Sequence, residues 1–139
     1  MELTWTNNQK KVMLTQTNVI ERLIKEHEIT NQVLTKSLPL QLEPHEIGET
    51  KLQPTETTKY QLLVGSLLYI NRFTRPEITV HVNLLGSRTS DASHKNLQTA
   101  LQLLRYLALT KTEGIPLTQS AVGKIIAYAD ASYGGEGAR

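Results

Sequence analysis

The chain has 139 residues, 39% hydrophobic and 20% charged, with a formal net charge of +2 and no cysteine. That balance is globular rather than disordered and suffices for one modest domain with its own core. It excludes disulfides and thiolate metal sites, which is consistent with a reducing compartment; no apolar run approaches the roughly 18 residues that a membrane span needs, and MELTWTNNQKK lacks the apolar core of a secretion signal.

Residues 2–6 (ELTWT) and 10–14 (KKVML) are two short β-like runs around Thr6-Asn7-Asn8-Gln9, which predicts a hairpin. Thr15 or Thr17 can cap the next helix, whose face is Val19, Ile20, Leu23, Ile24 and His27, with Glu21 and Lys25 paired on the opposite side. Residues 30–58 hold Pro39, Pro44 and Pro54 and read as a long linker or wrapping loop. Tyr60–Glu77, YQLLVGSLLYINRFTRPE, then places Tyr60, Leu63, Val64, Leu67 and Leu68 on one helical face. Gly65-Ser66 is expected to interrupt that helix, and a mid-helix Gly costs about 1 kcal/mol against Ala, so it should have a reason, such as close approach of another backbone. Asn71–Thr74 breaks the pattern, and Arg75-Pro76-Glu77 restarts a helix with Pro at its first position. This makes a basic elbow between two helices. Gly86–Ser90 ends the second helix, Ser90 or Asp91 caps a third, and Leu97, Ala100, Leu101, Leu104, Leu107 and Ala108 form its stripe. Three successive helices between 59 and 111 are the pattern of a bundle. Pro116–Gln119 reads as an edge strand and Lys124–Asp130, KIIAYAD, as an interior one closed by a carboxylate.

Charge is unevenly spread. Residues 1–59 carry seven basic and eight acidic side chains, whereas residues 60–112 carry six basic and two acidic. The middle is the part that can face phosphates, the alternative being a solvated helical surface. Asp130 is the acid embedded in an apolar strand; it must be paired, neutralised or placed on a metal, or else it is a strand-end residue in a turn. His27, His45, His81 and His94 have no metal-ligand spacing. Ser66 lacks a G-x-S-x-G elbow, and no phosphate-binding loop occurs.

The ordered string YQLLVGSLLYINRFTRPEITVHVNLLGSR, HKNLQTALQLLRYLALTKTEGI, IIAYADAS resembles the C-terminal part of the reverse transcriptase of copia-type LTR retrotransposons. That family carries a "Y…vGSLlYl…TRPDI…av…lsr" block, then "H…al…lRYLkgT…gl", then "GYsDAD". Tyr60, Val64–Tyr69, Thr74-Arg75-Pro76, His94, Leu104–Leu107, Thr110 or Thr112, Gly114, Tyr128 and Asp130-Ala131 match in order. LTQTNVIERLIKEHEITNQVLTKSLPL is similar to the family's "lsQ…yi…ll…f…k…tPl" segment. Ser132 and Tyr133 stand where the family has Asp and Trp, Glu77 replaces an Asp, and Gly86 departs from "lsr".

The resemblance implies an α+β chain in four parts. Residues 1–29 would be the palm's end and the thumb's start, with a short hairpin and helix, and 30–58 the linker. Residues 59–113 would be a three-helix thumb or connection, and 114–139 the first strands of an RNase H-like domain. It implies a Pol polyprotein fragment that grips an RNA–DNA hybrid or template–primer duplex through Arg72, Arg75 and Arg105, beside the rest of the polyprotein and with no membrane partner. Asp130 would be the first metal-binding acid of RNase H, with Mg2+ in the parent enzyme and none expected for this fragment alone. The family's polymerase site needs a Y-x-D-D turn, whereas the aspartates here are Asp91 and Asp130. The 139 residues alone are therefore expected to be inactive. The implied location is the cytoplasm, in a virus-like particle, or the nucleus. A helical interaction module with no nucleic-acid role is the alternative reading.

Overall fold

The computed structural model describes residues 1–5, 11–30 and 50–118. Strands β1 (Glu2–Trp5) and β2 (Lys11–Thr15) pair antiparallel, with Leu3 opposite Leu14 and Trp5 opposite Val12. Strand β3 (Ile115–Thr118) pairs on the other side of β2, with Leu14 opposite Ile115 and Val12 opposite Leu117. Among the described residues the order β1-β2-β3 leaves Pro116 on an edge, the place in a sheet that tolerates a missing N–H. Because side chains alternate, Leu3, Trp5, Val12, Leu14, Ile115 and Leu117 share one sheet face. Leu3, Trp5 and Leu117 are exposed.

Helix α1 (Thr17–Glu26) buries Ile20 and Leu23. Neither expected threonine caps it: Gln16 is the N-cap, and the Thr17 hydroxyl donates instead to the Lys111 carbonyl at 2.9 Å. Glu21 likewise turns to Lys111, at 2.7 Å, and the ion pair along the helix is Arg22–Glu26.

Helix α2 (Pro54–Phe73) starts inside the expected linker. Pro54 occupies its first position, and Gln53 and Glu56 form a capping box in which Glu56 accepts from the Gln53 N–H at 3.1 Å. It then runs unbroken through Gly65-Ser66, against the expected interruption. Tyr60, Leu63, Val64, Leu67 and Ile70 are its core face, while Leu68 is exposed. After a 3-10 turn (Pro76–Ile78), helix α3 (Thr79–Gly86) folds back on α2. The buried Tyr60 hydroxyl donates to the Leu85 carbonyl at 2.7 Å, and burial pushes its pKa up to about 12.

Helix α4 (His94–Leu109) is capped by Ser93, not Ser90 or Asp91: Ser93 and Asn96 form a second capping box, and Asp91 pairs with Lys51. A bridge between Lys51 and Ser93 zips the starts of α2 and α4 together, with the Leu52 N–H on the Ala92 carbonyl and the His94 N–H on the Thr50 carbonyl. Leu103 joins Ala100, Leu104 and Leu107 in the buried stripe.

The fold is α+β. Among the described residues the apolar core is built from the four helices and the short segments flanking them, and no strand residue enters it. The expected turn at Thr6–Gln9, most of the expected linker with His45, the expected strand Lys124–Asp130 and the residues after it lie outside the described residues.

Candidate nucleic-acid interface

Of the three arginines expected to face phosphates, Arg75 faces inward. It is 1% exposed. One terminal nitrogen, Nη1, donates to the Thr110 carbonyl at 2.9 Å, and the other, Nη2, donates to the Thr110 hydroxyl at 2.6 Å. Nε donates to Glu77 at 2.6 Å, Glu113 lies 3.9 Å away, and the guanidinium sits 5.4 Å from the centre of the Tyr106 ring. A planar fork suits this set of acceptors as an ammonium does not. A buried charge is tolerated only when paired and hydrogen-bonded, which Arg75 is. Its neighbour Thr74, also buried, donates from its hydroxyl to the Gln16 side-chain carbonyl at 2.7 Å. The elbow is thus an internal polar junction between the start of α1, the end of α2 and the end of α4. Its guanidinium is turned away from solvent, which removes it from the phosphate-facing set.

Arg72, in the last turn of α2, is exposed, and Arg105, beside Tyr106 on α4, is half-buried. The Arg75 junction holds the C-terminal ends of α2 and α4 together and so brings these two cations to the same end of the helical body. Helix α2 also carries a surface the charge pattern did not reveal. Opposite its core face, α2 presents Leu62, Gly65, Ser66, Tyr69 and Phe73, flanked by Lys59 and Arg72. Leu62 is 69% exposed, Tyr69 43% and Phe73 36%. The two rings stack at 5.1 Å between centroids, tilted by 58°. Gly65 faces open space, where an added methyl group would meet nothing within 4 Å. Close approach of another backbone, one reason a mid-helix glycine could have, is absent at Gly65 among the described residues. Glu56, in the first turn, is the one acid of α2. The spacing 62, 66, 69, 73 was readable as a second helical stripe, but it is masked by the core stripe on the other side.

At the opposite end the charges are mixed. A groove of about 560 Å³ is lined by Glu26, Glu28, Glu56 and Lys59 over Leu62, Leu97 and Leu101. His27 lines it, and its pKa is lowered chiefly because burial disfavours the imidazolium; Lys59 adds to this and Glu26 opposes it. Elsewhere, Glu21 is held below the usual carboxylate range by the hydrogen bond and charge of Lys111. Lys111 is thereby engaged with α1.

Asp130, the expected catalytic and metal-binding acid, lies outside the described residues. Among the described residues no group of three His, Cys, Asp or Glu could hold a metal ion. No helix of the described residues is long and apolar enough to cross a membrane.

No protein-family model matches the chain, and no solved structure matches it. Over 111 residues, 77% of this chain, it is 35% identical to the Retrovirus-related Pol polyprotein from transposon RE1 of Arabidopsis thaliana, of which it spans 7%. Over 114 residues, 82% of this chain, it is 29% identical to a transposon Ty5-1 protein of Saccharomyces cerevisiae, of which it spans 35%. It is also 32% identical over 77 residues to Secreted RxLR effector protein 161 of Plasmopara viticola, which is 55% of this chain and 54% of that protein. The chain is thus a relative of transposon Pol polyproteins and matches a short part of their length.

Proposed function

We propose, from the premise that this chain is a relative of retrotransposon Pol polyproteins, that it is the template–primer-gripping segment of a copia-type reverse transcriptase running into the start of RNase H. The outward face of α2 is its contact surface. The observation that carries this reading is that face itself. A helix apolar on both sides is ordinarily covered on both. Here, among the described residues, the outward side combines exposed aromatic rings, an open glycine, and cations at both ends. Lys59 and Arg72 stand about 20 Å apart along the axis at 1.5 Å per residue. Aromatic and small side chains suit the wide, shallow minor groove of an A-like hybrid, where sugars and base edges are accessible, while the two cations reach phosphates. Arg105 adds charge at the same end as Arg72, while Lys59 at the other end stands beside Glu26, Glu28 and Glu56.

In this reading Asp130 is the first RNase H acid, and a bound Mg2+ would supply the charge that activates water for phosphodiester cleavage. The residues described here hold substrate rather than transform it, and 1–139 alone is expected to show neither polymerase nor RNase H turnover. The remaining partners are the rest of the polyprotein, and the setting is the cytoplasmic particle or the nucleus.

The test is fluorescence anisotropy of an RNA–DNA hybrid titrated with the 139-residue chain across a series of KCl concentrations. Affinity should fall with salt, and R72Q should lower the magnitude of the log–log slope by roughly 0.7–0.9, the share of one phosphate contact. Y69A should weaken binding with the slope intact. Absent or salt-independent binding would favour the helical interaction module instead, to which the apolar content of the same face is suited.

A further inference from the structure

The proposed grip depends on where the last turn of α2 points, and that turn is fixed from behind. We infer that Arg75 is a positioning residue: its buried guanidinium locks the end of α2 onto the end of α4 and so sets the placement of Tyr69, Arg72 and Phe73. This inference rests on the grip reading for its consequence in binding, though not for the junction itself.

Three sequence blocks far apart in the chain meet there. Gln16 lies just before α1, Thr74-Arg75 just after α2, and Tyr106 and Thr110 at the end of α4. Arg75 makes two hydrogen bonds to a single residue, Thr110, one to its carbonyl and one to its hydroxyl. The Thr110 hydroxyl also donates back to the Tyr106 carbonyl at 2.9 Å, so the acceptor is itself held. The Arg75 and Thr74 N–H groups both bond the Ile70 carbonyl, at 3.2 and 3.0 Å, which ties the guanidinium's backbone directly to the final turn of α2. Thr74 is tethered separately to Gln16. The turn carrying Arg72 and Phe73 is therefore held between two buried side-chain contacts. Neither contact uses the outward face.

A fork with two fixed acceptors is not replaced by a lysine of equal charge. This separates positioning from phosphate contact, for which charge is enough. The experiment compares wild type, R75K, T110V and R72Q, each confirmed folded by circular dichroism at the binding temperature. R75K and T110V should each weaken hybrid binding by roughly fivefold, within the range of couplings carried through packed networks, and leave the salt slope unchanged. The same two variants should shift the ring NMR signals of Tyr69 and Phe73 in the absence of nucleic acid. T110V, which leaves the charge in place, covers the case in which R75K does not fold. Wild-type affinity in R75K, or a slope reduced as in R72Q, would overturn the inference. If wild type does not bind the hybrid, the grip reading falls by itself; the ring signals then decide the positioning role, and unshifted rings in both variants would overturn that too.

Discussion

At the scale of single residues, the lesson lies in two arginines three positions apart. Arg72 and Arg75 look alike in the chain, each a cation in a polar elbow. What separates them is Thr110, a residue 35 positions from Arg75 whose carbonyl and hydroxyl receive the guanidinium. No local pattern announces such a partner, because it depends on how α4 ends against α2. His27 is a more legible case: the spacing puts it on the face of Val19, Ile20, Leu23 and Ile24, and it is half-buried there. That burial has a consequence for pH. The folded chain favours the neutral imidazole, with its pKa lowered from 6.5, so below that value the unfolded chain binds more protons. Stability contributed by neutral His27 is present above pH 6.5 and is lost as pH falls toward the lowered folded value. Thermal midpoints of wild type and H27Q should run parallel above pH 7 and diverge below about 6.5, with wild type falling more steeply. The Glu21 carboxylate, lowered from 4.5, acts in a separate and more acidic window, and its exposed pair with Lys111 contributes little. Parallel curves down to pH 5 would show that His27 titrates alike in both states.

At the scale of the element, α2 shows how a correct face can accompany a wrong boundary. Tyr60, Leu63, Val64 and Leu67 repeat at helical spacing, so the core stripe was legible. Pro54 and Glu56 are a good helix start, but the prolines upstream drew them into the linker reading. Gly65-Ser66 suggested a break because glycine is a poor helix former; the packing of the Tyr60–Ile70 face into the core outweighs about 1 kcal/mol of propensity. The open space at Gly65 makes a two-sided prediction. Gly65→Ala adds a methyl group that meets nothing within 4 Å and removes backbone freedom from the unfolded chain. Urea unfolding should therefore show stabilisation by about 0.5–1 kcal/mol. Hybrid affinity should fall, because the same methyl group stands between the helix backbone and a closely applied ligand. A stabilised variant that binds as well as wild type would mean that nothing approaches α2 at this point.

At the scale of the whole molecule, the sheet and the helical body are joined in an unusual way. The described strands were legible as two short β-like runs and a Pro-bearing edge segment, but their relation to the core was not, since such runs do not say which face is covered. The apolar face of Leu3, Trp5 and Leu117 is exposed, and no strand residue enters the described core. Backbone geometry and polar contacts make the connection. Gly114 links α4 to β3, and a Cβ there would clash with the Leu14 carbonyl oxygen on β2. Gly114→Ala must therefore push β3 off β2 or shift the whole strand. The cost should be about 1–3 kcal/mol, as for overpacking elsewhere. It should fall unevenly. A two-stranded hairpin is marginal alone, so losing β3 should also loosen β1 and β2. The helices keep their own core, in which Leu63, Leu67, Leu104 and Leu107 are fully buried. Hydrogen exchange of Gly114→Ala should show lost protection in the β2–β3 ladder while α2 and α4 amides near Leu67 and Leu104 stay protected. If helix and sheet amides instead lose protection together, the sheet belongs to the same cooperative unit as the helices, and the polar junction at Arg75, Thr74 and Gln16 transmits its loss.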